Sequence, residues 1–187
     1  ATHSMQEFYT GVTQGINFPE FAASTLVNGE MCDYYDSNIR ESIPKTNWIK
    51  KVTDEHPQYW SSVTQNYRGF QEKFKTAMEI VMKNFNHTTG VHTLQLMLGC
   101  EFDNDSISTP KRFMQMGYDR ENFINFDLET KSWTTTKPGV LINKPILDYA
   151  NGLTTEHDKN YLSVTCIKWL KKFVSYGTET LERKVPP

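Results

Sequence analysis

An α+β fold, with one antiparallel sheet carrying helices on a single face, is what this chain predicts, and three observations predict it. Short segments of alternating or aromatic-rich apolar residues crowd residues 3–35. A stripe of apolar residues at helical spacing then runs through residues 58–85. The same order, strands and then a helical stretch, returns between residues 90 and 187. Strands gathered ahead of a helix in each half point to one layer of each, not to alternating β-α-β units. A chain of 187 residues can bury a core without help from metal or disulfides.

His3 to Val12 mixes polar and apolar residues in partial alternation, with Met5, Phe8, Tyr9 and Val12 as its bulky members. Ala22 to Val27 and Met31 to Tyr35 flank Asn28-Gly29, a pair suited to a type I′ turn, whose central residues both take positive φ. A turn-like stretch and a short segment around Trp48 and Ile49 follow. Apolar residues then fall at Val63, Tyr67, Phe70, Phe74, Ala77, Val81 and Phe85, with charged and polar residues such as Arg68, Glu72, Lys75 and Glu79 between them. That spacing predicts an amphipathic helix from about Gln58 to Phe85, roughly 40 Å long, entered after Pro57. Thr88-Thr89-Gly90 ends it.

In the second half, Thr93 to Phe102 alternates strongly, with Leu94, Leu96 and Leu98 on one face and Gln95 and Met97 on the other. Phe113 to Tyr118, Phe123 to Leu128 and the surroundings of Trp133 read as three more strands. A second helical region spans about Val140 to Tyr176, and Pro145 and Asn151-Gly152 are expected to interrupt it. Thr155 with Asp158 offers a capping box for the restart. Tyr161, Leu162, Cys166, Trp169, Leu170 and Phe173 then make an apolar stripe that Gly177 stops.

Composition removes several function classes. Lys plus Arg number 20 and Asp plus Glu 22, a net charge of −2, so no basic excess exists to neutralise nucleic-acid phosphates. No apolar run approaches the roughly 18 residues of a membrane span. No signal peptide leads the chain, so a mature or trimmed product is expected. No nucleophile elbow, phosphate loop or HExxH motif occurs; the chain reads as a non-enzyme without a cofactor. His87 and His92 flank Thr88-Thr89-Gly90 with no evident third ligand, so no metal site is expected. His157-Asp158 reads as the solvated first turn of a helix. Three cysteines, Cys32, Cys100 and Cys166, leave one over if two pair. The sequons Asn86-His87-Thr88 and Asn104-Asp105-Ser106 are about as many as chance supplies.

Pieces spread over the whole chain carry a family resemblance. His3-Ser4-Met5, Phe8-Tyr9-Thr10, Phe18-Pro19-Glu20-Phe21 and Tyr34-Tyr35-Asp36-Ser37 come from the first part. Pro57-Gln58-Tyr59-Trp60, Gly99-Cys100-Glu101, Gly117-Tyr118-Asp119 and Cys166-Ile167-Lys168-Trp169-Leu170-Lys171-Lys172 follow in order. Together they resemble the ligand platform of major histocompatibility complex (MHC) class I proteins, nearest in texture to fish sequences of a non-classical lineage. The resemblance implies the MHC class I antigen-recognition fold: an eight-stranded antiparallel sheet under two long helices, the second broken. Residues 1–89 would form the family's first domain and residues 90–187 its second.

The resemblance implies more than a fold. Cys100 and Cys166 would pair, leaving Cys32 a buried, inert thiol, and Asn86 would carry the family's glycan. The protein would stand on the extracellular face of the plasma membrane as a type I membrane protein. β2-Microglobulin would lie beneath the sheet against Phe8, Thr10 and Met97, and a T-cell or NK-type receptor would engage the helices. Arg183-Lys184-Val185-Pro186-Pro187 falls where an immunoglobulin-like third domain would start, so a platform is expected, either trimmed or naturally alone.

For the groove, Tyr59, Tyr161 and Trp169 match the family's amino-terminal pocket, whereas Glu7 replaces a tyrosine and Phe173 lacks another's hydroxyl. At the far end Asn84, Asn143, Ile146 and Leu147 replace the Tyr or Arg, Thr, Lys and Trp that hold a peptide carboxylate; only neighbouring Lys144 is left to bend in. Desolvating a carboxylate without a partner is costly, so loss of this clamp is expected. The lining would come from Val63, Asn66, Tyr67, Phe70, Phe74, Ala77, Ile80 and Val81 on the first helix. Tyr9, Leu94, Leu96, Leu98, Met114 and Met116 would supply the floor. The groove would take a peptide or an apolar, non-conventional cargo; its lining suits an apolar ligand or a closed groove filled by its own side chains, and a helical stripe on a sheet is ordinarily core. Glu7 would either meet a ligand amine or pair with a neighbouring base or Tyr59.

Overall fold

The computed structural model describes residues 1–13, 18–105, 109–136 and 144–178, and for Lys144 the backbone alone. Its strands are β1 (Thr2–Val12), β2 (Phe21–Val27), β3 (Glu30–Asp36), β4 (Ile43–Pro44), β5 (Thr93–Asp103), β6 (Lys111–Tyr118), β7 (Glu121–Asp127) and β8 (Ser132–Thr135). They form one eight-stranded antiparallel sheet in the order β4-β3-β2-β1-β5-β6-β7-β8. The two halves of the chain meet at β1 and β5, paired from Thr2↔Asp103 to Val12↔Thr93. Gly99 is required at that seam, because a Cβ there would overlap the Met5 carbonyl and the Phe113 ring.

Alternation sorts the faces. Leu94, Leu96 and Leu98 are buried on the helix side, and in the paired strands Leu96 sits opposite Met116 and Leu98 opposite Met114. Asn28 and Gly29 take φ of 50° and 80° in the β2–β3 hairpin, the left-handed pair expected of a type I′ turn. A register shift beside Thr25 and Leu26 leaves Cys32 and Asp33 both buried, against strict alternation. The short strand β4 lies within the turn-like stretch before Trp48, where no alternation signals a strand.

After a 3₁₀ turn at Trp48–Lys51 come α1 (Val52–Glu55) and the long helix α2 (Tyr59–Asn84). Helix α2 lays Tyr67, Gln71, Phe74, Ala77, Met78 and Val81 on the sheet. It ends in a Schellman motif. Asn86 takes φ of 59°, its N–H reaches the Lys83 carbonyl at 3.2 Å, and the His87 N–H reaches the Met82 carbonyl at 2.9 Å. The sequon asparagine is thus an exposed residue fixed at a helix stop.

The second helical region departs from expectation in where it breaks. Helix α3 (Lys144–Leu153) contains Pro145 in its first turn, where a missing N–H costs nothing, and runs through Asn151-Gly152. The break falls at Thr154 and Thr155. Thr154 Oγ1 accepts the Trp133 indole N–H at 2.8 Å, and Asn151 Oδ1 accepts the Trp133 backbone N–H at 2.8 Å, so both side chains tie the helix to β8. Helix α4 (Glu156–Asn160) restarts with the Thr155–Asp158 capping box. A π-helical turn at Tyr161–Thr165 then leads into α5 (Cys166–Tyr176). The Cys100–Cys166 disulfide fastens α5 to β5, and Cys32 is a buried free thiol.

Two apolar clusters result. One, around the disulfide, gathers Met5, Trp48, Ile49, Val52, Leu170 and Phe173. The other runs from Tyr9 and Tyr67 to Phe123, Trp133 and Ile146. The reading of His87 and His92 as lacking a third ligand does not hold: the β6–β7 turn brings Asp119 to them, a contact between chain segments that sequence spacing does not reveal.

Candidate ligand groove

Between α2 and the α3–α5 stretch, over the sheet, lies a cavity of ≈ 500 Å³. One end of it is aromatic. Tyr59 packs on Trp169 and Phe173 with ring centroids 5.2 and 6.2 Å away, and Tyr161 lies on the same wall. Phe173 is almost wholly buried, at 2% exposure, so it closes this end by packing.

The floor here is acidic. Tyr9 donates its hydroxyl to Glu7 Oε1 at 3.2 Å, while Glu7 Oε2 is buried without a well-formed hydrogen bond among the described residues. Burial raises the Glu7 carboxyl from 4.5 to about 7, against the pull of the Tyr161 and Tyr9 hydroxyls. The groups that meet it are therefore the Tyr161 and Tyr9 hydroxyls, not Tyr59 or a base. Asp33 stands next to it on the cavity wall and sequence reasoning overlooked it. Its Oδ1 accepts from the Tyr67 hydroxyl at 2.7 Å and the Thr25 N–H at 3.1 Å. Burial still lifts it from 3.8 to about 6. No cation contributes to either shift. A signal for Asp33 did exist: it shares strand parity with Tyr35, an inward residue.

Beyond the acids the lining turns apolar. Val63, Phe70, Phe74 and Ala77 face it from α2, and Leu96, Leu98, Met114 and Met116 from the floor. The Tyr9 and Phe70 rings approach to 4.4 Å between centroids. Trp133, Ala150, Leu153 and Leu162 add apolar wall that the sequence reading did not assign. Asn66 and Lys73 line the mouth on the α2 side, with Lys73 Nζ 5.5 Å from the Phe70 ring centre. His157 and Asp158, read as a solvated helix start, line the mouth opposite, where Asp158 also serves the capping box.

The far end does not belong to the cavity. Val81 and Ile146 are buried in the core with Leu94, Tyr118 and Phe123, and Ile80 and Leu147 pack against them. Asn84 is half-buried and also lies outside the lining. Helices α2 and α3 pack against each other there, and Thr76 bonds the Tyr149 hydroxyl across the cleft. Asn143 falls outside the described residues.

Comparison with known proteins agrees with this architecture. Residues 1–181 match the family model for class I histocompatibility antigen, domains alpha 1 and 2. Over 187 residues the chain is 36% identical to major histocompatibility complex class I-related protein 1 of Mus musculus, covering 100% of this chain and 53% of that protein. It is 33% identical over 187 residues to the class I histocompatibility antigen F10 alpha chain of Gallus gallus, covering 99% and 52%. With the H-2 class I histocompatibility antigen K-K alpha chain of Mus musculus it shares 29% over 189 residues, covering 99% and 50%. The chain thus spans about half the length of these relatives. With the sheet order, the helix pair above it and the full-length match all in agreement, the chain belongs to the MHC class I family, within its alpha 1 and alpha 2 domains.

Proposed function

We propose that this chain is the ligand-presenting platform of an MHC class I-like protein on the cell surface, and that its groove holds a compact, largely apolar cargo for display to a T-cell or NK-type receptor. The observation that carries the reading is the extent of the cavity. Its ≈ 500 Å³ ends where Val81, Ile146 and Leu147 fill the far side. That volume suits one small organic ligand, whereas an extended nine-residue peptide spans about 30 Å. Glu7 and Asp33 favour a cargo that brings an amine or a hydrogen-bond donor to the acidic end.

β2-Microglobulin is the proposed partner below the sheet, where half-buried Phe8, Thr10 and Met97 border a hollow of ≈ 200 Å³. Asn86, exposed and held at the helix stop, is the proposed glycan site. No helix among the described residues is long and apolar enough to cross a membrane. No catalytic role is assigned.

A second reading, a receptor-engaging module with a closed groove, draws support from the packing of α2 against α3 at the far end. The two are separated by producing the glycosylated protein in cells, extracting it with organic solvent and identifying what is released. Recovery of one class of apolar molecule near one per chain supports cargo display. Recovery of nothing supports the closed module, and recovery of nine-residue peptides of one length overturns the proposed cargo.

A further inference from the structure

Away from the groove, three ligand-bearing side chains converge on the loop that joins α2 to β5. One ligand atom each from His87, His92 and Asp119 lies within 4.8 Å of the other two. The two histidines stack with ring centroids 4.3 Å apart and planes 12° from parallel. Asp119 Oδ2 is 2.8 Å from His92 Nδ1.

Every member is also held from behind. The Thr89 carbonyl accepts the His92 Nε2–H at 3.0 Å, which fixes the ring; without a metal Nδ1–H meets Asp119 Oδ2, and a bound ion would take that proton's place between them. Asp119 Oδ1 accepts the Thr93 N–H at 2.9 Å, which orients the carboxylate and leaves Oδ2 for the site. The Tyr118 hydroxyl is 2.7 Å from His87 Nδ1. Metal-binding histidines characteristically give their other ring nitrogen to a carbonyl, carboxylate or similar group, which fixes tautomer and orientation. That outer layer sets this cluster apart from two histidines that merely share a surface.

We propose that His87, His92 and Asp119 form a zinc-binding site that clips the loop after α2 to the β6–β7 turn. Two imidazoles and one carboxylate suit zinc and its borderline neighbours, not calcium or magnesium, which prefer all-oxygen shells. Water completes the coordination. Bonds of about 2 Å set the ligand atoms roughly 3–3.5 Å apart, so His92 and Asp119, now 2.8 Å apart, part slightly while His87, past the helix stop in the loop, draws in. The ion would join the end of the first half of the chain to a hairpin of the second.

The test uses the chain stripped with a chelator, titrated with zinc by calorimetry and with cobalt(II) by visible absorption. One ion per chain is expected, with the d–d bands of a nitrogen-and-oxygen site. His87→Ala should weaken zinc binding at least about tenfold and remove those bands, while its melting in chelator matches the parent. Asp119→Asn, which keeps an oxygen for the Thr93 N–H, should also weaken binding. His56→Ala and His157→Ala should leave it unchanged. Equal zinc affinity in the parent and His87→Ala overturns the site, as does loss of binding in His56→Ala or His157→Ala, which would identify adventitious surface binding.

Discussion

Glu7 is the residue at which sequence and environment conflict most. Its carboxylate is buried, and among the described residues its ionised form has no cation to meet it. Burial lifts Glu7 to about 7 and Asp33 to about 6, each above its ordinary range. For such groups the folded chain binds protons more tightly than the unfolded chain. Their contribution is fully present at low pH and is lost as the pH rises through the folded values. The ligand-free protein should therefore lose stability from about pH 4, near the unfolded values, to about pH 7, the upper folded value, by up to about 3 kcal/mol for Glu7. Glu7→Gln, which keeps an acceptor for Tyr9, should flatten that slope in urea unfolding measured across the range. An unchanged slope would show that water or a ligand already solvates the carboxyl. Asn86 offers a second test at this scale, since its φ of 59° suits Asn or Gly and penalises a Cβ-branched or bulkier neighbour. Asn86→Ala should cost about 1 kcal/mol and Asn86→Gly almost nothing, whereas Thr88→Ala should abolish glycosylation at the proposed site without touching the helix stop.

At the scale of elements, the broken second helix is held by two devices. The disulfide anchors α5 to β5 across a sequence separation of 66, and Cys100→Ser should lower stability by about 2–5 kcal/mol. Peptide mapping without reductant should join Cys100 to Cys166 and leave Cys32 as a thiol. The capping box restarts the helix at α4, and Thr155→Ala should cost about 1 kcal/mol in thermal unfolding. How much of this was legible follows from the range of the forces involved. The Leu94-Leu96-Leu98 alternation and the Val63-to-Phe85 stripe are local, and they yielded β5 and α2 nearly residue for residue. Thr155 with Asp158 is a local motif and was read. The break itself was misplaced, because Asn151-Gly152 looks like a stop until Trp133, from a distant strand, engages Asn151 and Thr154. Asp33 shares its parity with inward Tyr35 and so carried a local signal, whereas Asp119 meets His92 across 27 residues, a contact that spacing does not reveal.

Across the whole molecule, the distribution of filled and empty space between the helices decides what the platform can carry. The sequence named Ile80, Val81, Asn84, Ile146 and Leu147 as groove contacts, and apolar identity alone cannot separate a lining side chain from one that plugs a pocket. In the folded chain Val81 and Ile146 are at 3% exposure and the open space stops short of them. A peptide carboxylate brought to this end would have to displace apolar packing and would find no charge-assisted donor among the described groups there. Nine-residue peptides with free ends should bind weakly, and amidation of the C-terminus should change affinity less than about twofold, because no ionic contact exists to lose. Apolar ligands should be retained by Phe70, Phe74, Leu96, Leu98, Met114 and Met116, with affinity following the apolar area they bury at about 25 cal/mol per Å². The decisive measurement refolds the chain with a random nonamer library, once with free C-termini and once amidated, and sequences what remains bound. Strong retention of the free-ended nonamers with heavy loss on amidation would show that the far end opens to admit a carboxylate, with Lys144 as its cation. Equal, weak retention of both libraries, alongside displacement by apolar competitors, is the outcome this geometry predicts.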